Sequence, residues 1–193
     1  MKIKRWIPCW ALLAAGSLFA GPITYDVIMT GPGESPPNTS PGTGFAVITI
    51  DTTTNILNIV SETFSGLLST TTASHIHCCI ASPGATGVAT QVPSFSGFPL
   101  GVTAGTYSMS FNMTQASSWN PAFITASGGT AALAESALAA GAAAGDAYLN
   151  IHTNMFPGGE IRGFLVATPE PSTMALAIAA LAGLFLASRV RSV

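Results

Sequence analysis

The chain has 193 residues, 48% of them hydrophobic and only 7% charged, a balance too apolar for a disordered tail and unusually poor in charge for a cytosolic enzyme. Between its apolar ends, one base (Arg162) stands against seven acids (Asp26, Glu34, Asp51, Glu62, Glu135, Asp146 and Glu160), a formal balance of −6. Nucleic acid is all but excluded as a partner and anionic polysaccharides are disfavoured, because both need a basic face.

In chain order, Lys2, Lys4 and Arg5 precede an apolar run over 6–15 and small residues through Ala20. That pattern predicts a secretory signal peptide over 1–20, too short to serve as a membrane anchor. Residues 21–167 then suffice for one domain with its own core. Residues 23–29 read as a first strand, and 31–44, rich in Pro, Gly, Ser and Thr, as an exposed, mobile loop. The β-branched runs 45–51 and 56–64 flank a turn at 52–55 and predict an antiparallel pair.

A fourth strand is expected over 74–80, a weak one over 87–93, and a loop over 95–105. Residues 105–113 alternate, placing Tyr107, Met109, Phe111 and Met113 on one core-facing side. The alanine-rich run 130–140, ended by Gly141 and interrupted again at Gly145, predicts one short helix packed on the sheet. Many short strands and a single helix argue for a mainly β fold, an antiparallel sandwich or partly closed barrel.

The three histidines fall in two short stretches: Ser74 to His77 (SHIH) and His152. His75 and His77 are two apart, so in a strand they face the same way, and a neighbouring strand carrying His152 would complete a site for copper or zinc. Cys79 continues that parity and could add a soft ligand. The same imidazoles would also serve as buried polar groups satisfied by backbone carbonyls or by Glu160, or as exposed side chains. Cys78 and Cys79 are the only cysteines once Cys9 leaves with the signal. A vicinal disulfide, an intermolecular bond, a metal ligand and free buried thiols are all compatible with the pair.

Residues 148–152 and 160–166 flank Asn154, Pro157, Gly158 and Gly159, a hairpin signature. Glu160 and Arg162, two apart, predict a structural ion pair that pins the hairpin. No activated nucleophile or base-orienting group is legible, so a catalytic role for Glu160 and Arg162 is disfavoured; the competing reading of the chain is a copper- or zinc-dependent redox or hydrolytic protein using His75, His77 and His152. The run NIHTNMFPGGEIRGFL resembles the closing motif of the CHRD domain, and SHIH resembles that family's other landmark. Members more often carry small residues such as Gly-Pro where this chain has Cys78 and Cys79. His-x-His on a sandwich strand is also similar, over those few residues alone, to the start of the copper site in Cu/Zn superoxide dismutase.

The chain ends with Pro169-Glu170-Pro171, an apolar run over 173–187 and Arg189 and Arg191. Residues 168–193 thus read as a short C-terminal membrane helix with a basic flank. They resemble the PEP-CTERM sorting signal of Gram-negative bacteria. That resemblance implies transient anchoring in the inner membrane, cleavage by an exosortase, and a final place at the cell surface or outside the cell. Exopolysaccharide or surface proteins would be the partners, and the expected role is that of a non-catalytic surface or matrix module.

Overall fold

The structure, a computed structural model, describes residues 21–168. The expected signal at 1–20 and, apart from Thr168, the expected sorting tail at 168–193, with Pro169, Glu170 and Pro171, lie outside the described residues. Alternation builds the first strand, β1 (Ile23–Thr30): Tyr25, Val27 and Met29 are buried on one face while Ile28 is exposed. β2 (Thr43–Asp51) and β3 (Ile56–Ser65) follow the same rule and pair antiparallel, as expected. A bulge at Val60 shifts their register, with Val47 opposite Ser61 and Ile48 opposite Ile59.

β4 (Thr71–Cys78), β5 (Gly105–Asn112), β6 (Ala147–Thr153), β7 (Ile161–Phe164) and β8 (Val166–Ala167) complete one antiparallel sheet, with the order β4-β6-β7-β1-β2-β3-β5 and β8 beside β1. The sheet curls into a half-barrel. The crossover between β4 and β5 partly closes it: Ala89 and Phe95 donate backbone hydrogen bonds to Ile76 and Ser74 along the β4 edge. No strand forms over 87–93; that segment makes only isolated bridges, His77 to Val88 and Thr90 to Trp119. Met109 also departs from expectation, being 40% exposed while Tyr107, Phe111 and Met113 are buried. It lies on an edge strand with a neighbour on one side only.

Helix α2 (Ala131–Ala144) is capped by the Thr130 side chain and ends on Gly145 in the left-handed conformation. It runs one turn past the expected stop, because Gly141 does not break it. A Cβ at Gly141 would overlap both Sγ atoms of Cys78 and Cys79, so glycine there allows close packing on β4. Ala134, Leu138 and Ala142 bury the helix against the sheet. A second, shorter helix, α1 (Pro121–Ala126), starts at the N-cap Asn120 with proline in its first turn. No described helix is long and apolar enough to cross a membrane.

Candidate metal centre

β4 and β6 lie side by side, with Ala73 opposite His152, His75 opposite Asn150 and His77 opposite Tyr148. Residues facing each other across an antiparallel pair share a face, so these residues form one polar surface, which continues onto β7 where Arg162 pairs Asn150 and Phe164 pairs Tyr148. The opposite face of the same strands carries Ile76, Leu149 and Ile151 into the core. This alternation brings the three histidines together although 75 residues separate His77 from His152 in sequence.

Each imidazole is held by one backbone carbonyl. His75 Nε2 is 2.7 Å from Pro93 O, His77 Nδ1 is 2.8 Å from Thr86 O, and His152 Nδ1 is 3.0 Å from Pro157 O. A carbonyl only accepts, so each of these nitrogens carries the proton and the other ring nitrogen keeps its lone pair. Those other nitrogens, Nδ1 of His75 and Nε2 of His77 and His152, are buried without a hydrogen-bond partner. One nitrogen from each ring lies within 4.8 Å of one from each of the others. Three ligands on one zinc or copper ion sit roughly 3.5 Å apart at ordinary metal–nitrogen distances, so binding draws the rings together by about 1 Å.

Burial sets the charge of the cluster. It pushes the His75 and His77 imidazoles down to about 4, against smaller raising effects from the carbonyls they face, and it lowers His152 as well. All three rings are therefore neutral at physiological pH, the state a metal requires. His77 stacks on Tyr148 with 4.7 Å between ring centroids, and the Arg162 guanidinium lies 4.6 Å from the Tyr148 ring centre. The Tyr148 hydroxyl donates to Thr86 O, the carbonyl that also holds His77. The three rings are thus fixed by an outer layer of carbonyls and aromatic contacts, as the ligands of a metal site would need to be.

Cys79 does not join the cluster. β4 ends at Cys78, so strand alternation no longer directs Cys79, whose Sγ is bonded to that of Cys78 and faces the Ala137 carbonyl of α2. Glu160 and Arg162 do not pair with each other either. Glu160 lies just before β7 and accepts hydrogen bonds from Ser40 Oγ (2.6 Å), Leu68 N (2.6 Å) and Thr153 Oγ1 (2.7 Å). Arg162 instead faces Glu34, with Nε 3.8 Å from Oε2, and donates to the carbonyls of Gly33, Pro83 and Gly84. Both side chains pin structure, through different partners from those expected.

Glu34 belongs to the segment read as exposed loop, yet it is buried, as is Ser40. Arg162 draws it in. Its carboxyl is pushed up to about 7 by burial, against the opposing pull of Arg162 and the Ser35 amide. The unpartnered atoms Glu34 Oε1 and Asn150 Oδ1 lie beneath Gly159, at a site where a Cβ would overlap the Asn150 carboxamide. Gly159, at φ 129°, is thus fixed both by conformation and by space. A surface cavity of about 340 Å³ opens beside it, lined by Glu34, Pro36, Pro37, Met155, Phe156 and Pro157 among others. Asn150 and Glu34 carried no signal in the sequence beyond their residue types.

The sequence matches the model of a family described as the CHRD domain over residues 25–165. No curated protein and no solved structure matches the chain.

Proposed function

Since the chain belongs to the CHRD domain family, we propose that it is a metal-binding member of that family, holding one copper or zinc ion on His75, His77 and His152. One observation carries this reading: each buried imidazole gives one nitrogen to a backbone carbonyl and leaves the other unpartnered, and the three rings each bring a nitrogen within 4.8 Å of the other two. Buried polar atoms are seldom left without partners in native proteins, and one ion would account for three of them on neighbouring rings. The role we infer is binding rather than catalysis, as the three rings are buried and, among the described residues, no carboxylate or thiol joins them.

The setting we infer rests on the chain's ends. A signal peptide at 1–20 and a PEP-CTERM tail with Pro169, Glu170 and Pro171 support export, exosortase processing and release at the surface of a Gram-negative cell, with matrix exopolysaccharide or surface proteins as neighbours. Elemental analysis of the untagged exported protein tests the metal: near-stoichiometric copper or zinc, lost in His75→Ala/His77→Ala, is expected. An empty but folded parent would make the histidines structural. For the sorting, a C-terminal epitope that stays on the chain after export sinks the exosortase assignment.

A further inference from the structure

We infer that the ion is copper held as Cu(I) by the three imidazoles alone, an inference that rests on the metal-binding reading above. The donor set is the first ground. Among the described residues no carboxylate or thiol joins the cluster, and both cysteines are joined to each other against α2. Zinc takes four ligands almost without exception, whereas a d¹⁰ monovalent copper ion is content with three nitrogens in a plane.

Charge is the second ground. Three neutral imidazoles offer nothing to offset a divalent ion, and Arg162, which pairs Asn150 on this face, adds a positive charge whose facing carboxyl, Glu34, lies 3.8 Å from it. Burying two uncompensated positive charges here is far costlier than burying one. Zinc sites built on three histidines escape this by binding hydroxide in an open fourth position. That escape is closed, because the three free nitrogens are screened from solvent. His75, His77 and His152 are at most 9% exposed, roofed by the segments that supply Thr86, Pro93 and Pro157.

Asn150 is the one candidate for a fourth donor. It lies opposite His75 on β6 with its Oδ1 unpartnered. An amide oxygen is a hard, neutral ligand, better suited to a divalent ion than to Cu(I). Its use would therefore mark the opposite outcome.

The test is competition on the full exported chain, kept anaerobic with ascorbate so that copper is monovalent and the Cys78–Cys79 bond is left intact. A chromophoric Cu(I) chelator reports copper affinity, and a zinc indicator reports zinc on a parallel sample. One Cu(I) per chain is expected, held about 100-fold or more tightly than zinc, with an X-ray absorption edge and shell of three nitrogens. His77→Ala should release it. Should that variant fail to fold by circular dichroism, His75→Gln serves instead, while Cys78→Ser/Cys79→Ser should keep the three-nitrogen shell. Zinc binding equal to or tighter than Cu(I), or a fourth oxygen in the shell, overturns the Cu(I) assignment and leaves the metal centre standing. A chain that binds neither ion defeats the metal reading itself and this inference with it.

Discussion

Two buried polar groups, Glu160 beside the β6–β7 hairpin and the three histidines of β4 and β6, are finished differently. Around Glu160 every carboxyl oxygen is answered: Ser40, Leu68 and Thr153 donate to it at 2.6–2.7 Å. Around His75, His77 and His152 one nitrogen of each ring is answered and the other is not. Both groups are buried, Glu160 at 0% exposure and the histidines at no more than 9%, so burial does not separate them. The difference is whether the chain completes its own hydrogen bonding, and where it does not, a ligand is the natural completion.

The largest expected effect comes from breaking the completed side. Arg162 is 1% exposed and ties Gly33 of one segment to Pro83 and Gly84 of another while facing Glu34. Arg162→Leu strands three carbonyls and a buried carboxyl, and should lower stability by about 3–5 kcal/mol. Glu160→Gln keeps one acceptor and turns an amide toward donors, a loss of about 1–3 kcal/mol. Urea unfolding followed by circular dichroism measures both. Midpoints within error of the parent's would mean that these contacts are not what holds the loops down.

Glu62 offers an intermediate case, half answered and bound to Ser74 of β4. It is fully buried, with Oε1 accepting from Ser74 Oγ at 3.0 Å and Oε2 unpartnered. Burial pushes its carboxyl up to about 8, from an ordinary 4.5, against the Ser74 hydrogen bond. The folded state therefore holds a proton that the unfolded chain has released, and stability is full below pH 4.5 and falls as pH rises toward 8, on the order of 1.4 kcal/mol per unit. Glu34, also raised, adds a loss of the same sign up to about 7. The informative quantity is thus the difference from Glu62→Gln, which lacks the Glu62 contribution. Parallel stability curves for parent and variant between pH 5 and 8 would refute a buried, protonated Glu62.

How much of this was legible follows the range of the forces involved. The hairpin of β6 and β7 could be read because Pro157, Gly158 and Gly159 announce the turn locally, and the shared face of His75 and His77 follows from strand period alone. The partner of Arg162 could not, since Glu34 lies 128 residues away and packing, not spacing, selects it over Glu160. The same distance hid the burial of the segment after β1, whose composition reads as loop until Arg162 is seen to anchor it. Gly141 shows the reverse limit: a residue that weakens helices locally sits inside one because the Cys78–Cys79 pair leaves no room for a Cβ. Helix α1 was not expected at all, although Asn120 before Pro121 is a local cap signal.

The smallest expected effect sharpens the comparison most. In the metal-free protein, His152→Leu removes the hydrogen bond to Pro157 O, which lowers stability, and also removes a buried nitrogen that has no partner, which raises it. These contributions are opposed and similar in size, so the net change should fall within about 1 kcal/mol. With the metal bound the parent gains stability by mass action and the variant does not, so the gap between them should widen as metal is added. A histidine that merely completes the core would behave otherwise, with a loss of about 2 kcal/mol or more in the metal-free state and no change on adding metal. Paired thermal melts of parent and variant, with and without one equivalent of the ion, separate the two cases without any assay of activity.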